Sequence, residues 1–77
     1  MDRVDLRSGR HLLGRNLRGL RLARGWTQDD LAAEAGVRQA LISELECGKV
    51  DVRLDTLQRI ALALGARLSE LFEDGKR

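Results

Sequence analysis

Apolar residues along this chain recur at helical spacing, in short segments that each end at a glycine. Leu13, Leu17 and Leu20 share one face while Arg15, Arg18 and Arg24 spread over the others, which predicts an amphipathic helix from roughly His11 to Arg24. Residues 1–9 carry no such period and read as a loose N-terminal arm. Thr27 then stands where a helix N-cap is expected, with Asp30 at the reciprocal position of a capping box. Trp26 and Leu31 have the spacing of a hydrophobic staple across that cap, which gives the lone Trp a structural job. The helix so started runs from Gln28 to Ala35. A third helix, Gln39 to Cys47, turns Ile42 and Leu45 inward, and a fourth, about Leu54 to Leu64, buries Leu57, Ile60, Ala61 and Leu64. Leu68, Leu71 and Phe72 suggest a short fifth helix. Gly25, Gly36, Gly48 and Gly65 fall where C-caps are expected.

Composition narrows this picture. Proline and tyrosine are absent and no alternating pattern appears, so the expected fold is all-α, with one domain over residues 10–73 and a C-terminal tail at 74–77. A core in a chain of 77 residues rarely supplies more than about 3–5 kcal/mol, so support from a partner subunit is plausible from the outset. The single cysteine, Cys47, rules out an internal disulfide and a Cys-based zinc framework. His11 reads as an ordinary surface residue. No metal, cofactor or enzymatic role is expected, because no base–nucleophile pair, carboxylate pair or phosphate loop is present. Met1 to Gly9 has no apolar run of signal-peptide length, and no segment approaches a membrane span, which makes the cytoplasm the expected compartment.

Charge is uneven. Residues 1–25 hold seven Arg against two Asp, a net of +5, whereas residues 26–77 have a net of −3. The basic first segment is equally compatible with phosphate contacts and with a solvated helix face.

Two short helices joined by a tight turn containing Gly36 form a helix-turn-helix signature. The residues Leu17-Arg18-Gly19-Leu20-Arg21, Gly25-Trp26-Thr27-Gln28 and Leu31-Ala32 carry a resemblance that continues through Gly36-Val37, Ile42-Ser43-Glu44-Leu45-Glu46 and Gly48. It ends at Leu57, Ile60-Ala61 and Ala63-Leu64-Gly65. Over about residues 13–72 the chain closely resembles the lambda-repressor-like family of DNA-binding domains, the Cro or XRE type. The resemblance implies a compact five-helix domain with the helix-turn-helix at its second and third helices, bound to double-stranded DNA.

The resemblance also distributes roles. Gln28 matches a residue that contacts a DNA phosphate, with Thr27 beside it at the helix N-terminus. The third helix matches the recognition helix of the major groove, with Arg38, Gln39, Ala40, Ser43 and Glu44 on its outward side. Gln39 is the leading base reader, because glutamine can bond adenine through two hydrogen bonds. Glu44 either accepts from a cytosine amino group or pairs with Lys49 or a nearby Arg. Lys49 and Arg53 fall where the family's loop touches the DNA backbone, and Arg21 and Glu46 match a pair that meets inside the fold.

One departure is consistent: Arg38, Arg53 and Arg67 stand where Ser or Thr caps are usual, leaving Asp51 as the candidate cap of the fourth helix. Either Arg38 and Arg53 exchange capping for phosphate contacts, or they reflect drift in an Arg-rich chain. A regulator of this kind is expected to act as a homodimer through Leu68, Leu71 and Phe72, aided by the fourth helix, without a small-molecule effector. A protein-interaction module, holding a toxin or polymerase subunit through the same fold, is the alternative. On the DNA-binding reading Gln28→Ala weakens all DNA sequences alike.

Overall fold

A computed structural model describes the backbone of residues 6–74 and the side chains from Ser8 onward. Four α-helices, α1 (Leu6–Ala23), α2 (Gln28–Ala35), α3 (Gln39–Glu46) and α4 (Leu54–Leu64), lead into a closing 3₁₀ segment, Leu68–Phe72. No strand occurs among the described residues. The fifth helix is therefore a 3₁₀ turn: five residues are too few to nucleate an α-helix without help from packing.

Helix α1 starts at Leu6 rather than His11, so Leu6 to Gly9 of the expected arm are helical, while residues 1–5 lie outside the described residues. The extra turn escapes a periodicity search because it contributes a glycine and polar side chains, Arg7, Ser8, Gly9 and Arg10. The later helices match their expected bounds, except that α3 ends at Glu46 with Cys47 as its cap.

The core gathers Leu13 and Leu17 from α1, Leu31, Ala32 and Ala35 from α2, and Ile42 and Leu45 from α3. Leu57, Ile60, Ala61 and Leu64 of α4 and Leu71 of the 3₁₀ segment complete it. These are the periodic positions, and their removal from water is the main term favouring the fold. Trp26 packs against this core, as the staple spacing requires, and the Arg24 guanidinium lies 4.6 Å from its ring centroid. Arg24 also donates to the Leu64 carbonyl at the end of α4 (2.9 Å).

Two features seat α1 against the rest of the fold. Asn16 Nδ2 of α1 donates to the carbonyls of Leu71 (3.0 Å) and Glu73 (2.6 Å), and Arg15 donates to that of Asp74 (2.8 Å). Gly14 lies where α1 crosses the end of α3: a Cβ there would sit 2.5 Å from the Leu45 carbonyl oxygen and 2.8 Å from that of Glu46. No side chain larger than hydrogen fits that crossing.

Candidate nucleic-acid interface

The start of α2 is fixed locally. Thr27 Oγ1 accepts from the Asp30 amide (3.0 Å) and Asp30 Oδ2 accepts from the Thr27 amide (2.8 Å), completing the capping box. The hydroxyl accepts in that bond, so its own proton stays free to donate outward. At the other end, Gly36 takes φ +71°, with its amide bonded to Ala33 and that of Val37 to Ala32. Such a left-handed residue lets α3 fold back across α2 within three residues, and a side chain there would be strained.

The turn brings the start of α3 against the start of α2. Gln39 Nε2 donates to Gln28 Oε1 at 2.6 Å, and Gln28 Nε2 donates to Glu46 Oε1 at 3.1 Å. Glu46 in turn holds Arg21 through a bidentate pair, Nε to Oε2 at 2.6 Å and Nη2 to Oε1 at 2.9 Å. Arg21 Nη1 donates to the Trp26 carbonyl (2.7 Å), and Arg21 is only 8% exposed. Hydrogen bonding to Glu46, and then its charge, raise the Arg21 pKa against the opposing effect of desolvation. A raised arginine pKa means the pair contributes fully below arginine's ordinary range and is lost only above it, so alkaline conditions short of that leave it intact.

Of the expected base readers, Arg38, Gln39, Ala40 and Glu44 are exposed on α3, and Ser43 is half-buried. Thr27, Lys49 and Arg53 are exposed and Gln28 is half-buried. Arg38 and Arg53 occupy the N-cap positions of α3 and α4 without a side-chain cap. Asp51 does not cap α4: its carboxylate accepts from the neighbouring Val52 amide (2.9 Å), outside the helix. Glu44 forms no ion pair among the described residues; Lys49 meets it through the backbone alone, amide to carbonyl at 3.0 Å.

The expected dimer surface needs correction. Leu71 is fully buried and closes the protomer's own core, so it is unavailable to a partner. Leu68 is half-buried and Phe72 is 43% exposed. The periodicity missed Leu62 on α4, at 78% the most exposed large apolar residue among the described residues. It borders an open groove of about 290 Å³ lined by Gln58, Ala61, Leu62, Ala66 and Leu68. Gly14 and the bond from Gln28 to Glu46 were also missed. Gly14 did leave a signal, a glycine one turn before Leu17 on the buried face of α1. Among the described residues no three His, Cys, Asp or Glu side chains gather as a metal site, and no helix is long and apolar enough to cross a membrane.

Two short helices locked by a glycine turn, with exposed polar side chains opening the second, define a helix-turn-helix domain. The chain belongs to the Cro/C1-type helix-turn-helix family: the family model HTH_3, Helix-turn-helix, matches residues 17–71. A hypothetical transcription factor of Neisseria meningitidis serogroup B is 31% identical over 70 residues, covering 91% of this chain and 63% of the relative, so the chain spans less than two-thirds of that protein. Control protein C.BamHI of Bacillus amyloliquefaciens is 34% identical over 65 residues, covering 83% of this chain and 80% of that one. The crystal structure of the restriction-modification controller protein C.AhdI from Aeromonas hydrophila superposes with a TM-score of 0.79 at 33% identity, over 82% of this chain and 96% of that one.

Proposed function

We propose that this protein is a transcriptional regulator that reads duplex DNA with α3 in the major groove. The observation that carries this reading is the exposed edge of α3, Arg38, Gln39, Ala40 and Glu44, set directly beside the N-terminus of α2. Gln39 uses one amide proton on Gln28 and keeps its oxygen and a second proton, the pair that a two-point contact with adenine requires. Thr27, Gln28, Lys49 and Arg53 are the phosphate contacts of this reading, and the α2 dipole adds to them. Ser43 and Glu44 tune the choice of base. Similarity to C.BamHI and C.AhdI favours the role of a restriction–modification controller in the cytoplasm, with no catalytic activity of its own.

A gel-shift titration on the promoter next to this gene, at two salt concentrations, tests the proposal. Specific binding that weakens steeply with salt is expected. Absence of any DNA preference at low salt would favour the protein-interaction alternative. Gln39→Ala should cost about 1–3 kcal/mol at one base position and leave the others ranked as before. An equal loss on every sequence would remove Gln39 from the base-reading set.

The regulator acts as a homodimer on a two-fold-symmetric site, because two recognition helices about 34–36 Å apart read twice the sequence of one. The exposed Leu62, with Leu68 and Phe72 beyond it, is the apolar surface offered for this contact. Leu62→Asp should leave the melting temperature within a few degrees of the parent and shift sedimentation toward the monomer. A dimer that survives this change is built on another face.

A further inference from the structure

We infer that Glu46 is a positioning residue for base recognition, acting through Gln28 on Gln39. The inference rests on the reading of Gln39 as a base reader. A carboxylate can only accept hydrogen bonds. The end of the Gln28 carboxamide that faces Glu46 Oε1 must therefore be its nitrogen, and the end that faces Gln39 must be its oxygen. That oxygen in turn admits only the nitrogen of Gln39, 2.6 Å away. One buried acceptor thus sets the polarity of two amides in succession.

An isolated exposed glutamine presents its oxygen and its nitrogen interchangeably, and so bonds a donor or an acceptor on a base edge with little preference. Gln39 is denied that freedom. Glu46 is itself immobilised by the two bonds from buried Arg21, so the starting point of the series is rigid. A base reader held in one amide orientation before DNA arrives discriminates more sharply, because binding no longer has to select that orientation.

Binding to a DNA library randomised at single positions tests this with three variants. Gln39→Ala identifies the base pair that Gln39 reads. Gln28→Met breaks the series while leaving the Arg21–Glu46 pair in place. Arg21→Met/Glu46→Gln replaces the acceptor-only group by an amide that can donate or accept, without leaving an unpaired buried charge. In both of the latter, preference at the Gln39 base pair should fall roughly five-fold or more, toward the Gln39→Ala value, with preference elsewhere retained. Ratios of affinities cancel any loss of folded protein. In DNA-free protein, the two side-chain amide protons of Gln39 should be well separated by NMR and should collapse toward those of an exposed glutamine in both variants.

Preference retained at that base pair, or lost equally at all positions, in either variant would overturn the role of Glu46 while leaving Gln39 as the reader. If Gln39→Ala itself changes no single position, the base-reading assignment and this inference both fail.

Discussion

Arg21→Ala is expected to lower the unfolding free energy by about 3–5 kcal/mol, the usual cost of stranding one member of a buried ion pair. Four hydrogen bonds depend on this corner of the fold: three from Arg21, to Glu46 twice and to the Trp26 carbonyl, and one from Gln28 to Glu46. Alanine leaves the Glu46 carboxylate largely out of water with Gln28 as its one side-chain donor. A core of this size supplies a comparable total, so the variant should be substantially unfolded at room temperature. Circular dichroism against temperature measures this, and an unchanged melting temperature would show that the pair contributes nothing to stability. The double change Arg21→Met/Glu46→Leu should recover most of the loss, because it removes both charges and keeps the volume.

The second large effect is expected at Gly14. Alanine normally stabilises a helix interior relative to glycine by about 1 kcal/mol, and at Gly19, where an added Cβ meets nothing within 4 Å, Gly19→Ala should do so. At Gly14 the sign reverses. The added carbon would overlap the carbonyl oxygens of Leu45 and Glu46, which are backbone atoms that no rotamer change can move aside. Overpacking of this kind costs about 1–3 kcal/mol, and a rigid neighbour places it at the upper end. The melting temperature of Gly14→Ala should fall by roughly 10–20 °C while that of Gly19→Ala rises. Two opposite shifts from one substitution type in one helix are hard to produce by any other cause; a rise in both would mean that α1 and α3 stand further apart.

The chain announces much of this fold because each helix is written in local terms. Apolar spacing, a Thr–Asp cap and terminal glycines locate α2, α3 and α4 almost to the residue, since all three depend on neighbours within a turn or two. The start of α1 was illegible for the opposite reason: its first turn has poor local signals. The fifth element was legible as a burial pattern but not as a 3₁₀ turn, whose shape depends on what α1 offers, above all Asn16 gripping the carbonyls of Leu71 within it and Glu73 just beyond it. For the candidate site, residue types pointed to Gln39 and Gln28 separately. Their mutual bond, and the bond back to Glu46, arise only where residues 11 and 18 positions apart meet. On the proposed role of Gln39, that geometry adds to the expectation for Gln28: removing the side chain that holds Gln39 should bring a selective loss on top of the uniform one. Leu71 shows the same limit, since periodicity marks a residue as apolar without saying whether its own chain or another covers it.

The half-buried Trp26 makes the molecule its own optical probe. The chain has one Trp and no Tyr, so near-ultraviolet emission excited at the red edge comes from a single known place. That place lies under the Arg24 guanidinium and one residue before the Thr27 cap. The indole packs against the hydrophobic core, so its emission reports whether that core is intact, and a phosphate arriving at Thr27 and Gln28 would perturb the same residue. Unfolding, and the DNA association proposed above, can both be followed by fluorescence without a label.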